Sequence, residues 1–167
     1  NSATKSSTTS TPSAVRTLTN DSAPKAQSQT VSLSYLIEEE KLAHDVYVTL
    51  GDKWGSRVFG NILQSESTHQ GLVAPLLVAR NINDPRQASV GAFTDPTLQK
   101  LYNQLITQGM QSETEAYNVG VIIEKTDIAD LDKMLAVETD PQVIGVLNKL
   151  KLGSENHLRA FERQLNR

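Results

Sequence analysis

Apolar residues recur at helical spacing from Leu33 to the C-terminus, and no alternating run typical of a strand competes with them. Turn residues divide this region into four long helical segments and one short one. We expect helices from Ser32 or Ser34 to about Leu50, from about Trp54 to Arg80, from Pro96 to about Gln108, from Ser112 to about Val137, and from Pro141 to the C-terminus. Gly51 and Gly109 are the expected ends of the first and third helices. The pattern predicts an all-α fold: an antiparallel four-helix bundle with a short extra connector helix.

The N-terminal segment has a different composition from the rest of the chain. Fourteen of the first 30 residues are Ser or Thr, and few are large and apolar. Such a segment buries too little apolar surface to offset the entropy lost on ordering. We interpret residues 1–31 as an extended tail, and residues 32–167 as the bundle. The tail is either a disordered linker or an assembly arm that a neighbouring subunit of a homo-oligomer orders.

Ionisable side chains fall within or beside the apolar stripe of each long helix when residues are spaced about 100° apart around the axis. They are Glu40 on the first helix, Glu66 and His69 on the second, Glu124 and Asp127 on the fourth, and His157 on the last. Each lies near the middle of its helix, and the midpoints of antiparallel helices meet at one level of a bundle. We therefore expect four carboxylates and two imidazoles to converge in the core.

Carboxylates buried together without a cation are costly, and no Lys or Arg lies on these helix faces. A single buried Glu or His is usually a hydrogen-bonded core residue. Six of them at one level favour a different explanation. Carboxylate and imidazole are ligands that suit divalent metals. The set predicts two metal ions with bridging carboxylates and open positions for dioxygen or peroxide.

The run Glu66-Ser-Thr-His69 is a Glu-x-x-His motif, whose spacing directs both side chains at one metal. Together with Glu40, it resembles the first half of the ferritin-like di-iron superfamily, which includes rubrerythrins and manganese catalases. A microbial ferritin-like family without an assigned function is more closely similar, through the strings EEEKLAHDVY (38–47), IIEKTDIADL (122–131) and GSENHLRAF (153–161). The resemblance covers residues 33–166. It implies a ferritin-like bundle with two metal ions, iron first and manganese as the alternative, and an oxidoreductase that acts as a ferroxidase or peroxide scavenger.

The second half of the sequence departs from that superfamily. A second Glu-x-x-His motif needs Glu at the position of Ser154, three residues before His157. Glu155 is rotated about 100° from Ser154 on the helix, so it should point away from the site. We expect Asp127, one turn beyond Glu124, to supply the fourth carboxylate.

Four further residues lie near the expected site: His44, Tyr47, Tyr117 and Ser154. We interpret His44 as a boundary residue hydrogen-bonded outside the site, and the two tyrosines as core residues. The alternative is that they support the metal ligands by hydrogen bonding, or that a tyrosine carries an electron out of the site.

Composition limits the other function classes. The absence of cysteine excludes disulfides, thiolate metal sites and Cys nucleophiles. The net charge is −3, with +2 in the tail and −5 in the remainder, and no Lys/Arg stripe indicates a nucleic-acid partner. No apolar run approaches the roughly 18 residues of a membrane span.

A start at Asn1 without Met, followed by the Ser/Thr-rich segment, favours a secreted or cell-surface protein. A cytoplasmic location stays open. A second function therefore competes with the enzyme. In it, the bundle is the scaffold of a structural or self-assembling extracellular subunit, and the N-terminal arm links the subunits.

Overall fold

The computed structural model describes residues 31–167, which form five α-helices and no strand. The helices are α1 (Leu33–Trp54), α2 (Arg57–Ala79), α3 (Pro96–Gly109), α4 (Glu113–Leu135) and α5 (Pro141–Leu165). The all-α prediction is confirmed for this part of the chain. None of these helices is long and apolar enough to cross a membrane. The predicted tail or arm lies outside the described residues, apart from Val31.

Side-chain caps begin four of the helices. Ser32, Asp95, Ser112 and Asp140 each accept a hydrogen bond from a backbone N–H in the first turn of α1, α3, α4 and α5. In α3 and α5 the residue after the cap is proline, whose missing N–H has no intrahelical partner to lose. Each cap stabilises its helix by about 1 kcal/mol. Of the two serines expected to begin α1, Ser32 is the cap.

The predicted end of α1 at Gly51 is wrong, because α1 continues to Trp54. Gly51 lies where helices pack closely, since a Cβ added there would lie 3.1 Å from Cβ of Phe59 in α2. The residue that ends α1 is Gly55, which has a φ of 67° and donates its N–H to the Gly51 carbonyl at 2.8 Å. As a result α2 begins at Arg57 and not at Trp54. The other predicted ends lie within two residues of those observed.

The four long helices pack in pairs. α1 packs along α2, and α4 packs along α5, while α2 also contacts α5 and α1 also contacts α4. The short helix α3 lies against α1 and α4. Together with residues 80–95, α3 connects the end of α2 to the start of α4.

Two apolar clusters form the core, and each long helix passes through both. One cluster contains Tyr47, Phe59 and Phe161, and the other contains Leu36 and Leu147. α1 and α5 run from the second cluster to the first, whereas α2 and α4 run from the first to the second. Every contacting pair of long helices is therefore antiparallel. On each helix, buried polar residues separate the two clusters.

Buried polar side chains of α1 hold the connection before α3. The Glu38 carboxylate accepts hydrogen bonds from the backbone N–H groups of Thr94, at 2.6 Å, and Asp95, at 2.9 Å. Lys41 donates to two carbonyl oxygens of the loop and to Asp45. These contacts fix the loop against the middle of α1, at the level of the polar layer.

Candidate metal centre

The polar layer contains two triads of buried side chains. One consists of Glu40, Glu66 and His69, and the other of Glu66, Glu124 and His157. In each triad, one ligand atom from every residue lies within 4.8 Å of the others. All five side chains are buried, and Glu66 belongs to both triads. Four helices contribute, because α1, α2, α4 and α5 each supply at least one residue.

Distances within the triads are short. Nδ1 of His69 lies 3.0 Å from Oε2 of Glu40 and 3.2 Å from Oε2 of Glu66. Nδ1 of His157 lies 2.7 Å from Oε1 of Glu66 and 3.5 Å from Oε1 of Glu124. The two imidazole rings stack with their centroids 5.5 Å apart. Each histidine therefore faces the shared Glu66 and one further glutamate.

Several of these ligand atoms have no hydrogen-bond partner within residues 31–167. They are Oε1 of Glu40, both carboxylate oxygens of Glu66, Oε2 of Glu124 and Nδ1 of His157. Nδ1 of His157 and Oε1 of Glu66 are close, yet neither has a hydrogen-bond partner in the described part of the chain. Buried polar atoms are rarely left without a partner. Nδ1 of His69 and Oε2 of Glu40 do form a hydrogen bond. The remaining donor atoms converge without bonding one another, as a metal-binding site requires.

The charges of the triads perturb one another strongly. Burial raises the pKa of Glu40 and that of Glu124 to about 7 each, although the neighbouring imidazoles act in the opposite direction. Burial also acts to raise the pKa of Glu66, but His157 and His69 together lower it to about 2. Glu66 is thus the carboxylate that stays ionised most readily.

The pKa values of the two histidines are also raised, which favours their charged forms. Burial alone would lower their pKa values, but the adjacent carboxylates raise the pKa of His69 to about 10 and that of His157 to about 9. Without metal, imidazolium cations therefore balance the carboxylates. A bound divalent ion would take over this role, because a ligating imidazole must be neutral.

Tyr47 supports one triad directly. Its hydroxyl donates a hydrogen bond to Oε1 of Glu124 at 2.6 Å. Burial and the charges of Glu124 and Glu66 raise the pKa of Tyr47 well above its usual range, so the phenol keeps its proton. The ring packs against Phe161 with centroids 5.2 Å apart, and both rings belong to the apolar cluster beside the site. Of the expected supporting residues, Tyr47 contacts a triad residue.

His44 and Tyr117 make their hydrogen bonds away from the triads. Nδ1 of the half-buried His44 lies 3.0 Å from Oδ1 of Asp45. The Tyr117 hydroxyl bonds to Ser56 at 2.7 Å and also donates to Glu113. The interpretation of His44 as a boundary residue agrees with these contacts, whereas Tyr117 is only partly buried.

The second half of the site has buried residues beyond the triads. Asp127 is buried, and its Oδ2 has no partner in the described part of the chain, but Asp127 belongs to neither triad. Glu155 is only half-buried. Ser154 is buried, and its Oγ has no hydrogen-bond partner among the described residues. Asp127 is therefore the more enclosed of the two carboxylates, while its role as a ligand stays a prediction.

Sequence reasoning missed two features of this region. A Cβ added to Gly153 of α5 would lie 2.3 Å from Nε2 of His69, so the absence of a side chain makes room for that ring. Glu39 is also buried, and neither of its oxygens has a partner within residues 31–167. The available signal for Glu39 was the unbroken run of three glutamates at 38–40.

These observations define an all-helical protein whose buried Glu and His groups suit metal ions. The chain belongs to the DUF2202 family, described as an uncharacterized protein domain, which matches residues 29–167. It is 43% identical over 144 residues to the uncharacterized protein MJ0754 of Methanocaldococcus jannaschii, which covers 86% of this chain and 78% of that protein. The crystal structure of hypothetical protein MJ0754 from Methanococcus jannaschii DSM 2661 matches with a TM-score of 0.80 and 40% identity, over 95% of this chain and 86% of that one.

Proposed function

We propose that this protein is a ferritin-like, carboxylate-bridged dinuclear metal protein that acts as an oxidoreductase on dioxygen or peroxide. The observation that carries the proposal is the shared Glu66, which joins two buried Glu/His triads. One carboxylate with two separate oxygens can reach both triads. A single carboxylate between two ligand sets is the arrangement that a bridged pair of ions needs.

The helix directions support the ferritin-like part of the proposal. α1 and α2 form one antiparallel pair, and α4 and α5 form the other. α2 and α4 run in the same direction, so the chain must cross the length of the bundle between them. Residues 80–112, including α3, make this connection. A four-helix bundle with one long crossover is the ferritin-like topology.

The ligand chemistry agrees with iron, and with manganese as the alternative. Each triad offers two carboxylates and one imidazole, a mixed oxygen and nitrogen set that suits divalent iron and manganese. The sequence has no cysteine, so no thiolate ligand competes. Three protein residues leave coordination positions free for a small oxidant. Asp127, one turn beyond Glu124, is the proposed further carboxylate of the second triad.

The surrounding residues prepare the site for this chemistry. When two such ions are bound, they supply the electrons that reduce dioxygen or peroxide. Tyr47 holds one oxygen of Glu124 by its hydrogen bond and leaves the other for a ligand. The apolar clusters on either side of the layer limit access of water. Secretion and assembly of copies through the N-terminal segment remain predictions.

Metal binding to Glu66→Gln tests the proposal. Metal-free protein is dialysed anaerobically against iron(II) and, separately, manganese(II), and bound metal is counted by mass spectrometry. The intact protein should bind two ions per chain. Glu66→Gln should lose both, because it removes the carboxylate common to the triads. The matched control is Glu155→Gln, which changes a half-buried glutamate outside the triads and should retain two.

The same proteins test the proposed activity. Protein loaded with iron(II) is mixed with dioxygen or with hydrogen peroxide, and iron oxidation is followed by absorbance. Intact protein and Glu155→Gln should oxidise iron much faster than Glu66→Gln, which should match iron in buffer. Equal binding or equal oxidation by Glu66→Gln and intact protein would rule out the shared-carboxylate site.

A further inference from the structure

A row of ionisable side chains leads along α4 from the triads towards the surface. Glu124, Asp127, Asp130 and Lys133 follow one another at intervals of three residues. Each step advances about 4.5 Å along the axis and turns by about 60° around it. The row therefore rotates from the core to the solvent. Burial follows this rotation, since Glu124 is 0% exposed, Asp127 2% and Asp130 8%, and the Lys133 side chain is 65% exposed.

Glu39 of α1 lies beside this row. Burial raises the pKa of Glu39 well above its usual value, and the negative charges of Asp130 and Glu40 raise it further. The charge of Glu39 is in turn the strongest of those that raise the pKa of Asp127. Glu39 thus interacts with both the outer carboxylate Asp130 and the inner carboxylate Asp127, and it is next in sequence to the triad residue Glu40.

The inner part of the row has unused acceptors. Both oxygens of Glu39 and Oδ2 of Asp127 are buried without a hydrogen-bond partner in the described part of the chain. Neither residue is paired with Lys or Arg within residues 31–167, whereas Asp130 is 2.6 Å from Nζ of Lys133. Burying acceptors without donors lowers the free energy of unfolding unless a cation binds them.

The outer end of the row opens into a surface pocket of about 340 Å³. Tyr35, Asp95, Thr97, Asp130 and Lys133 are among the residues that line it. Asp130 thus faces both the pocket and Glu39. A cation that enters the pocket meets the Asp130 carboxylate, whose present partner Lys133 is an exposed side chain that the cation can replace.

We propose that Asp130, Glu39 and Asp127 form the route by which divalent cations reach the two triads, with Lys133 competing for Asp130 at its mouth. The proposal rests on the metal-binding function proposed above. Each step exchanges one carboxylate ligand of the ion for the next, so no electron is transferred and no covalent bond is made. Glu39, Asp130 and Lys133 lie outside the triads. They act on the rate of loading and not on the number of ions bound, whereas Asp127 is also the proposed further ligand.

Stopped-flow loading with cobalt(II) tests this route, because bound cobalt absorbs visible light. Glu39→Gln and Asp130→Asn keep side-chain size while removing one charge. Both should still take up two ions per chain at saturation but load at least about tenfold more slowly, since a focused negative potential raises association rates by that order or more. The matched control is Asp52→Asn, which removes the same charge from an exposed position of α1 and should load at the original rate.

Lys133→Gln gives the opposite expectation. Removing the competing cation should speed loading, and added salt should reduce the difference between the variants. Circular dichroism checks that the variants fold. If one of Glu39→Gln and Asp130→Asn does not fold, the loading rate of the other tests the route by itself. Wild-type rates in Glu39→Gln and Asp130→Asn, with two ions bound, would overturn the route while leaving the metal site intact. Loss of an ion from Glu39→Gln at saturation would make Glu39 a ligand and overturn it too. Failure of the intact protein to bind cobalt would instead overturn both proposals.

Discussion

At the scale of single residues, the candidate metal centre depends on the space around His69 as much as on the ligand residues. Gly153 lies in α5 directly against the ring of His69, where even a methyl group would overlap the imidazole. Gly145, two turns earlier on the same helix, has no atom within 4 Å of an added Cβ. The two glycines therefore separate the effect of crowding the site from the effect of glycine in a helix.

Gly153→Ala should displace His69 and weaken the first triad. We expect loss of about one of the two metal ions and a lower free energy of unfolding, by about 1–3 kcal/mol as for other overpacked sites. Metal analysis and urea unfolding measure the two effects. Gly145→Ala should keep both ions and stabilise the protein by up to about 1 kcal/mol. Unchanged metal content in Gly153→Ala would show that His69 is not confined as described.

Tyr47→Phe should weaken the second triad without disturbing packing. The ring remains, but Oε1 of Glu124 loses the hydrogen bond that it accepts at 2.6 Å. Loss of such a supporting contact reduces metal affinity by about 10–100-fold, and isothermal titration measures the change. Tyr117→Phe is the matched control, because that hydroxyl bonds to Ser56 and Glu113. Equal affinities in the two variants would contradict the role assigned to Tyr47.

Sequence reasoning located the ligand candidates because each lies on an apolar stripe at mid-helix. The projection placed Glu40, Glu66 and Glu124 inside, and all three are buried. It could not identify Gly153, whose importance comes from a histidine on another helix. Spacing along one helix carries no information about which neighbour approaches that point.

At the scale of the elements, α1 differs from the other helices by being enclosed on nearly every side. All residues from 36 to 43 are buried, because α2, α3 and α4 all contact this helix. A projection that assumes one buried face cannot anticipate this. For the same reason, the burial of Glu38 and Lys41 beneath the loop that precedes α3 could not be predicted from the sequence.

The attachment of this loop to α1 depends on pH because Asp45 holds it. Burial acts to raise the pKa of Asp45, but hydrogen bonds from His44, Lys41 and the Gly91 N–H outweigh it and lower the pKa. A carboxyl group with a lowered folded-state pKa stabilises the protein above its unfolded pKa of about 3.9. That stability is lost as the pH falls through the folded-state value.

Asp45→Asn should therefore be less stable than the intact protein at neutral pH, by about 1–3 kcal/mol for a buried charged hydrogen bond. The difference should shrink as the pH falls below about 4. Urea unfolding across this range, on metal-free protein, measures it. Asp52→Asn, on the exposed part of α1, should follow the intact protein throughout. A difference in stability that grows as the pH falls would contradict the role assigned to the Asp45 carboxylate.

At the scale of the whole molecule, a polar layer lies between two apolar clusters. Each long helix carries apolar residues on both sides of its buried polar residues, which is why the sequence could predict their convergence at one level. The position of α3 against α1 and α4 was not predictable. Its docking depends on contacts such as the hydrogen bond from Trp54 Nε1 to the Gly109 carbonyl, at 2.9 Å, between residues far apart in sequence.

Anomalous diffraction from crystals of the iron-loaded protein would locate the bound ions relative to Glu66. We expect two anomalous peaks per chain, one in each triad, with Glu66 within bonding distance of both. His69 should ligate one ion and His157 the other. A map without peaks in the polar layer, or with a single ion that Glu66 does not contact, would contradict the dinuclear site.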